Sequence, residues 1–533
     1  MASTLSDTAA GVSAPARAIV FIGFMGAGKS TAAADVAAAL GTEAQDSDRL
    51  LERELGHSIA EEFERAGEAS FREREQALVC RLLADAGPGS VIALGGGSVL
   101  SSRVREALKG HLTVLLEVSA ESAWRRVGEG AGSSRRPLAV DRAAFFAEHA
   151  SRALLYESIA DAFVPSLGKR AALRALPGLR ALAAAPAGTH LLWASAASGD
   201  YPVLVGPGLL VPEVCVSPVW PLDRGGSRPF CVSDRNVAPL YAERLGGVAE
   251  LVEIDPGERH KTLASAESVW GALVAGGMTR ADHLVALGGG VVGDLAGFCA
   301  ATYQRGVPVV HVPTSLVAQV DSAYGGKTGV DLPVAKNYVG AYHQPAGVIV
   351  DPSVLESLPA AERAAGYAEV IKTALIAGGE LWARVAADGA IDERTILACA
   401  RTKLSVVAED ERDAGRRQVL NLGHTVGHAI EAVTGYERYR HGEAVALGLL
   451  AALRLSGLED LRAQVGELLR AHELPTTLAD EVDAEQVLAA TRRDKKRLGE
   501  QVPFVLLDAP GEAKTGCHVS EADLRAAVGE LRG

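Results

Sequence analysis

Two kinds of chemistry-bearing pattern stand far apart in this chain. The first is "GFMGAGKST", residues 23–31, which satisfies G-x-x-x-x-G-K-[ST] with Gly23, Gly28, Lys29 and Ser30. In such a loop, with Gly26 and Thr31 as further members, backbone N–H groups wrap a phosphate. Lys29 then reaches the terminal phosphates and Ser30 serves a magnesium ion. The second is "QVLNLGHTVGHAIEA", residues 418–432, where His424 and His428 lie four apart in a run with helical apolar spacing. Both imidazoles should face one side, but two ligands do not make a metal site. Whether they share a metal or divide the work is open at this level.

Between them, "LGGGVVGD" places Gly288, Gly289, Gly290 and Gly293 after the apolar run "HLVAL". A glycine turn at a strand end suits a pyrophosphate, although the G-x-G-x-x-G spacing is missing. The polar stretch that follows packs Arg305, Asp321, Lys327, Lys336, Asn337 and His343 among glycines and prolines. Such density of charge beside buried-looking strands suits an anionic, hydroxylated small molecule.

These residues need rigid elements beneath them. From residue 18 to 167, short β-branched runs such as "AIVFIG" and "LTVLLEV" alternate with longer helical stretches, the form of a parallel sheet with helices on both faces. Residues 168–198 are rich in alanine and hold two prolines, Pro177 and Pro186, and are expected to form one last helix and a linker. A second domain then runs over 199–533, αβ in its first half and helical from Ala360 onward. The expected fold class is α/β throughout, a P-loop domain followed by a domain with an αβ half and an α-helical half. Residues 1–17 are expected to be a disordered leader.

The 533 residues are 48% hydrophobic and 22% charged, with a formal net charge of -13. That balance gives no basic stripe for nucleic acid. The six cysteines form no C-x-x-C pair, which suits reduced thiols in a cytoplasmic protein. No run is apolar enough to span a bilayer, so no membrane partner is expected.

Further motifs accompany the P-loop: "DSD" with Asp46 and Asp48, "FRERE" with Arg72, "LGGGSV" with Gly95, Gly96 and Gly97, "SRRPL" with Arg136 and "RALLY" with Arg152. In this order they resemble shikimate kinase. The resemblance implies that Asp48, Arg72, Gly95 to Gly97 and Arg152 hold the hydroxyls and carboxylate of shikimate. It implies ATP and Mg2+ as cofactors, Asp46 on magnesium through water, Arg136 on a lid, and Arg125 or Arg126 near adenine.

The second domain, through "SDRNVAPLY", "GERHKT", "YAEVIK", "LNLGHTVGHAIE", "RHGEAVALG" and "RDKKRLG", resembles 3-dehydroquinate synthase. This resemblance implies a zinc or cobalt ion held by Glu369, His424 and His441, with His428 near the substrate instead. It places Arg305, Lys327, Asn337, Lys372, Lys403, Arg417, Asn421 and His428 at the substrate, with Lys495 or, by preference, Lys496. It places Asp234, Glu258, Lys261, Gly290, Asp294, Thr314, Ser315, Asp321 and Lys336 at NAD. The implied reaction converts 3-deoxy-D-arabino-heptulosonate 7-phosphate to 3-dehydroquinate and phosphate, with NAD recycled within each turnover. The residues with catalytic roles would be Lys29, Asp48 and Arg136 in the first domain and Arg305, Lys327, Lys372, Lys403 and His428 in the second. Small-molecule substrates and a homodimer through the second domain complete the expectation. Three positions depart from the family pattern: Asp413 stands for a glutamate, Arg416 for a leucine, and Val354 for an aromatic residue.

Overall fold

The structure, a computed structural model, describes residues 17–129, 141–222, 225–333, 335–491 and 502–532. The chain forms two compact units. The first comprises residues 1–194 with 200–204 and 217–221; the second comprises 195–199, 205–216 and 222–533.

In the first unit, β1 (Ile19–Ile22) is wholly buried and pairs in parallel with β3 (Val91–Ala93) and β4 (Leu112–Glu117). β2 (Ala44–Asp46) flanks β3, and β5 (Ala162–Pro165) flanks β4. The order is β2-β3-β1-β4-β5-β6-β7, with β6 at His190–Ala196 and β7 at Gly199–Val205. Parallel strands buried on both faces read as near-continuous apolar runs, which is why "IVFI" and "LTVLLE" are so conspicuous. Helices α1 (Lys29–Leu40), α2 (Ser47–Leu55) and α3 (Ile59–Asp85) follow β1 and β2, with α3 broken at Gly67. The longer α4 (Arg142–Ile159) precedes β5.

Residues 168–198 contain the expected last helix, and a strand follows where a linker was expected. They hold α5 (Leu176–Ala184), and Pro177 sits in its first turn, where proline starts a helix and does not break one. β6 then continues the sheet, with Ala162 of β5 opposite Leu191.

In the second unit the order is β14-β11-β10-β8-β9, from β8 (Pro229–Asp234), β9 (Glu250–Ile254), β10 (His283–Gly288), β11 (Val309–Pro313) and β14 (Gly347–Val350). β10 is parallel to β8 and β11. The chain leaves β8 outward to β9 and then crosses back to β10. Its strand order therefore reverses between β8 and β10, and the crevice at their carboxyl ends is where such sheets bind ligands. A hairpin of β12 (Lys327–Leu332) and β13 (Ala335–Tyr342) is separate from this sheet. The helix α6 (Gly290–Thr302) starts directly beyond β10.

The helical half contains α7 (Ala360–Ala377), α8 (Glu393–Glu409), α9 (His424–Val433) and α10 (His441–Leu455). α7 packs on α10, and α9 packs on α10. Glycines permit the approach. A Cβ on Gly448 would collide with the carbonyl of Gly423, and one on Gly442 with the carbonyl of Ala365.

Candidate active sites

In the first unit, the loop between β1 and α1 turns through positive φ at Gly23, Gly26 and Gly28. A Cβ on Gly26 would lie 2.8 Å from the carbonyl oxygen of Ala123, so glycine is required on two counts. Lys29 donates to the carbonyls of Gly23 and Phe24 at 2.9 and 3.2 Å, folded back over its own loop. Ser30 and Thr31 follow in the first turn of α1. Arg126 braces the loop by donating to the Gly26 carbonyl at 3.2 Å and to Ser166 at 2.8 Å. Arg125 is exposed. Of the two arginines, only Arg126 touches the cradle.

Asp46 caps α2, accepting from the Arg49 amide at 3.1 Å, and Asp48 lies in the first turn of the same helix. The glycine run closes on these groups: a Cβ on Gly95 would collide with Asp48, and one on Gly97 with the Arg72 guanidinium. Arg152, nearly buried, reaches the Gly96 carbonyl at 3.5 Å and pairs with Glu148. The structure thus brings Asp48, Arg72 and Arg152 together around the Gly95–Gly97 run. Sequence reasoning did not single out Glu75 and Tyr156. Glu75, nearly buried, fixes Arg72 at 2.7 Å and accepts from Ser98 at 2.8 Å. Tyr156 donates to Gly96 at 2.5 Å, and burial pushes its hydroxyl up to about 12. The i, i+3 spacing of Arg72 and Glu75 was the available signal. Arg136 lies outside the described residues.

In the second unit, three donor atoms from Glu369 on α7, His424 on α9 and His441 on α10 come together, all within 4.8 Å of one another. Glu369 Oε1 lies 3.6 Å from His424 Nε2 and 3.4 Å from His441 Nε2. Neither Glu369 oxygen has a well-formed hydrogen bond, although the carboxylate is 1% exposed and paired with Lys372. Such convergence of buried carboxylate and imidazole donors fits a divalent cation such as zinc or cobalt. His424 Nδ1 faces the carbonyl of Leu422 at 3.1 Å, which leaves Nε2 directed inward. His428 belongs to a second grouping, with Glu431 and His441. Burial opposes charging His441, but Glu369 and Glu431 outweigh it and hold the ring up at about 10.

Beside this cluster stands a row of buried cations. Lys372 lies 3.6 Å and Lys403 2.9 Å from Asp321 Oδ1. Asp321 occupies a π-helical turn, an irregularity frequent at functional sites. Burial pulls Lys403 down to about 8, although Asp321 acts in the opposite direction. Burial disfavours the Asp321 carboxylate, but Lys372 and Lys403 overcome it and hold the group at about 2. Arg417, 1% exposed, donates to the Gly325 carbonyl at 2.9 Å. Lys327 pairs with Asp413 at 2.5 Å, so the shorter acid still reaches its lysine. Asn421 donates to the Gln418 carbonyl at 3.1 Å. Arg305 is exposed and is not brought into this group. Lys495 and Lys496 lie outside the described residues.

The expected dinucleotide residues gather at the strand-order reversal. Asp234 ends β8, and the turn from Gly288 to Gly290 leads from β10 into α6. Thr314 donates its amide to the Gly288 carbonyl at 3.0 Å, and a Cβ on Gly289 would lie 3.1 Å from Ser315 Oγ. Lys261, buried, binds Glu258 at 2.7 Å, Asp294 at 3.1 Å and Asn337 at 2.8 Å. Asn337, expected at the substrate, is therefore tied to residues expected at the dinucleotide. Lys336 joins Glu258 at 3.2 Å and Glu431 at 3.0 Å. A cavity of about 630 Å³ opens beside Lys336, Asn337, His428 and Glu431. Val354 is buried, and its carbonyl accepts from Tyr241. Arg416 pairs on the surface with Glu409. Sequence reasoning missed Glu431, although it lies three residues beyond His428 on the same helix face.

Comparisons with known proteins match these two constellations. The 3-dehydroquinate synthase N-terminal family matches residues 251–365 and the 3-dehydroquinate synthase C-terminal family residues 366–497. The 3-dehydroquinate synthase of Symbiobacterium thermophilum is 43% identical over 354 residues, 62% of this chain and 98% of that one. The chain belongs to the 3-dehydroquinate synthase family. The enzyme of Halorhodospira halophila is 44% identical, over 62% of this chain and 96% of its own. The shikimate kinase family matches residues 25–176, so the chain is a fusion of a shikimate kinase domain and a 3-dehydroquinate synthase. Among solved structures, a 2-deoxy-scyllo-inosose synthase complexed with carbaglucose-6-phosphate, NAD+ and Co2+ covers 64% of this chain and 99% of its own, at TM-score 0.57 and 25% identity. The 2-epi-5-epi-valiolone synthase of Streptomyces hygroscopicus subsp. jinggangensis 5008, with NAD+ and Zn2+ bound, gives 0.56 and 26%, over 62% of this chain and 96% of its own.

Proposed function

We propose that the first domain phosphorylates shikimate from ATP, and that the second converts 3-deoxy-D-arabino-heptulosonate 7-phosphate to 3-dehydroquinate and phosphate. In the kinase, Arg72 and Arg152 clamp the carboxylate as fixed guanidinium forks. Asp48 orients the attacking hydroxyl and takes its proton. Lys29 leaves the loop carbonyls for the terminal phosphate oxygens, where positioning and charge neutralisation supply most of the catalysis.

In the synthase, Glu369, His424 and His441 hold a divalent cation, and the crevice between β8 and β10 holds NAD with Asp234, Glu258, Lys261 and Asp294. When bound, the dinucleotide exchanges a hydride with the substrate and the metal polarises substrate oxygens. The chain's own part is to fix an anionic substrate: Lys327, Lys372, Lys403 and Arg417 surround it with positive charge. His428, free of the metal, carries hydrogen bonds to the departing phosphate. Burial of Lys372 and Arg417 excludes water from the reacting face.

The observation that carries the synthase reading is the coincidence of 43% identity across nearly a whole 3-dehydroquinate synthase with three convergent, buried metal donors. The fold alone also suits other sugar-phosphate cyclases, but the solved examples share only 25% and 26% of residues. A cytoplasmic location, in keeping with six free cysteines, belongs to the same proposal, as does a homodimer through the second domain, which rests on the family resemblance alone. The deciding experiment measures phosphate release from the heptulosonate with catalytic NAD, after chelation and after zinc is restored. Release that follows zinc with no net NADH supports the reading. A metal-loaded protein that cyclises a different sugar phosphate overturns the substrate assignment.

A further inference from the structure

His441 uses both of its ring nitrogens. Nε2 faces Glu369 at 3.4 Å, and Nδ1 faces Glu431 Oε1 at 3.3 Å. His424 is set differently, because its Nδ1 meets the backbone carbonyl of Leu422. One metal ligand is therefore oriented by backbone and the other by a carboxylate, 2% exposed on α9. The same Oε1 accepts from Lys336 Nζ at 3.0 Å, and Lys336 lies 3.2 Å from Glu258, which itself pairs with Lys261. His428, Glu431 and His441 could by spacing alone hold a second ion. The Lys336 ammonium already occupies the cationic place beside Glu431.

We propose that Glu431 is a positioning residue that couples metal affinity to dinucleotide affinity, through the path His441, Glu431, Lys336, Glu258. This rests on the assignment of Glu369, His424 and His441 to the metal and of Glu258, Lys261 and Lys336 to NAD. The physical content is a shared acceptor. A carboxylate on the outer nitrogen of a ligating imidazole fixes its tautomer and raises its basicity toward the metal. In the structure, Lys336 draws on the same oxygen. An anionic dinucleotide at Lys261 and Lys336 attracts the Lys336 ammonium away from Glu431, and the freed carboxylate then strengthens His441 as a ligand. The two affinities must rise together, and by the same factor in both directions.

The test uses the full chain and needs no turnover. Zinc affinity is measured by competition with a chromophoric chelator, with and without saturating NAD, and NAD affinity by calorimetry, with and without zinc. In the wild type, NAD should tighten zinc roughly 5-fold or more, and zinc should tighten NAD by the same factor. Glu431→Gln keeps the shape and removes the charge. It should weaken zinc about 10- to 100-fold and abolish the mutual effect. Lys336→Gln should retain wild-type or tighter zinc affinity without NAD and lose the response to NAD, which keeps the test available if the first variant does not fold. Zinc affinity in Glu431→Gln within about 2-fold of wild type, or full coupling in Lys336→Gln, would overturn the coupling. A wild-type chain that binds neither zinc nor NAD would instead remove the site assignment beneath it.

Discussion

At the residue scale, the proposed division of the α9 histidine pair into a ligand and a non-ligand predicts opposite phenotypes. His424→Ala removes one of three converging donors, so bound zinc should fall to background and activity with it. His428→Ala should keep its zinc and lose roughly 10²- to 10³-fold in kcat, the range for losing one hydrogen-bond donor to a departing anion. Metal analysis of both purified variants separates the two cases, and equal zinc loss in both would contradict the assignment. Lys403 supplies a second prediction. Burial holds it at about 8, so its positive charge is present below that pH and fades above it. KM for the anionic heptulosonate should rise as pH passes from about 8 toward 9.5, and Lys403→Met should flatten that limb at a raised KM. Stability moves the other way. The unfolded lysine keeps its ordinary value of 10.5, so between 8 and 10.5 the unfolded chain binds more protons and the folded synthase gains stability with rising pH.

At the element scale, the metal donors sit on three helices whose separation is set by glycine. Gly423 opens α9 at φ 77° and Gly448 faces it from α10. Gly448→Ala should therefore push α9 off α10, at a cost on the order of 1–3 kcal/mol for overpacking a tight contact. A lower melting temperature together with weaker zinc binding would be the expected pair of results. Unchanged zinc binding would mean that the helix pair does not set the ligand spacing. This scale also shows what could be read in advance. The P-loop was legible because strand, loop and helix are contiguous, and Gly23, Gly28, Lys29 and Ser30 complete its motif within eight residues. The α/β character of both domains followed from strand-like runs alternating with helical ones. In residues 168–198 one last helix was expected, but the alanine-rich, proline-interrupted sequence hid the strand behind it. Pro177 lies in the first turn of that helix, and "HLLWASA" is a largely buried strand. Glu431 and Glu75 escaped notice because each owes its place to partners that only the tertiary fold supplies, Lys336 and His441 for one, Ser98 and the glycine run for the other.

At the scale of the whole molecule, each candidate site is built within one compact unit. Among the described residues, the side chains assigned to the phosphate cradle and its acceptor site lie between residues 23 and 166, and those assigned to the metal and dinucleotide lie beyond residue 230. The chemistry at the two sites also needs different metals in different settings: magnesium at a hydroxyl and phosphates, and a transition ion held by imidazole and carboxylate. Fusion alone thus supplies no physical reason for one activity to depend on the other. Lys29→Ala should lower shikimate phosphorylation by about 10²- to 10³-fold, as for the loss of one charge-stabilising donor, and leave phosphate release from the heptulosonate within about 2-fold of wild type. Glu369→Gln should do the reverse. Both activities are measured on each purified full-length variant at fixed ATP and NAD. If Lys29→Ala depressed the synthase, or if ATP changed the synthase rate of the wild type but not of Lys29→Ala, the first domain would be acting on the second as a nucleotide-responsive regulator as well as a kinase.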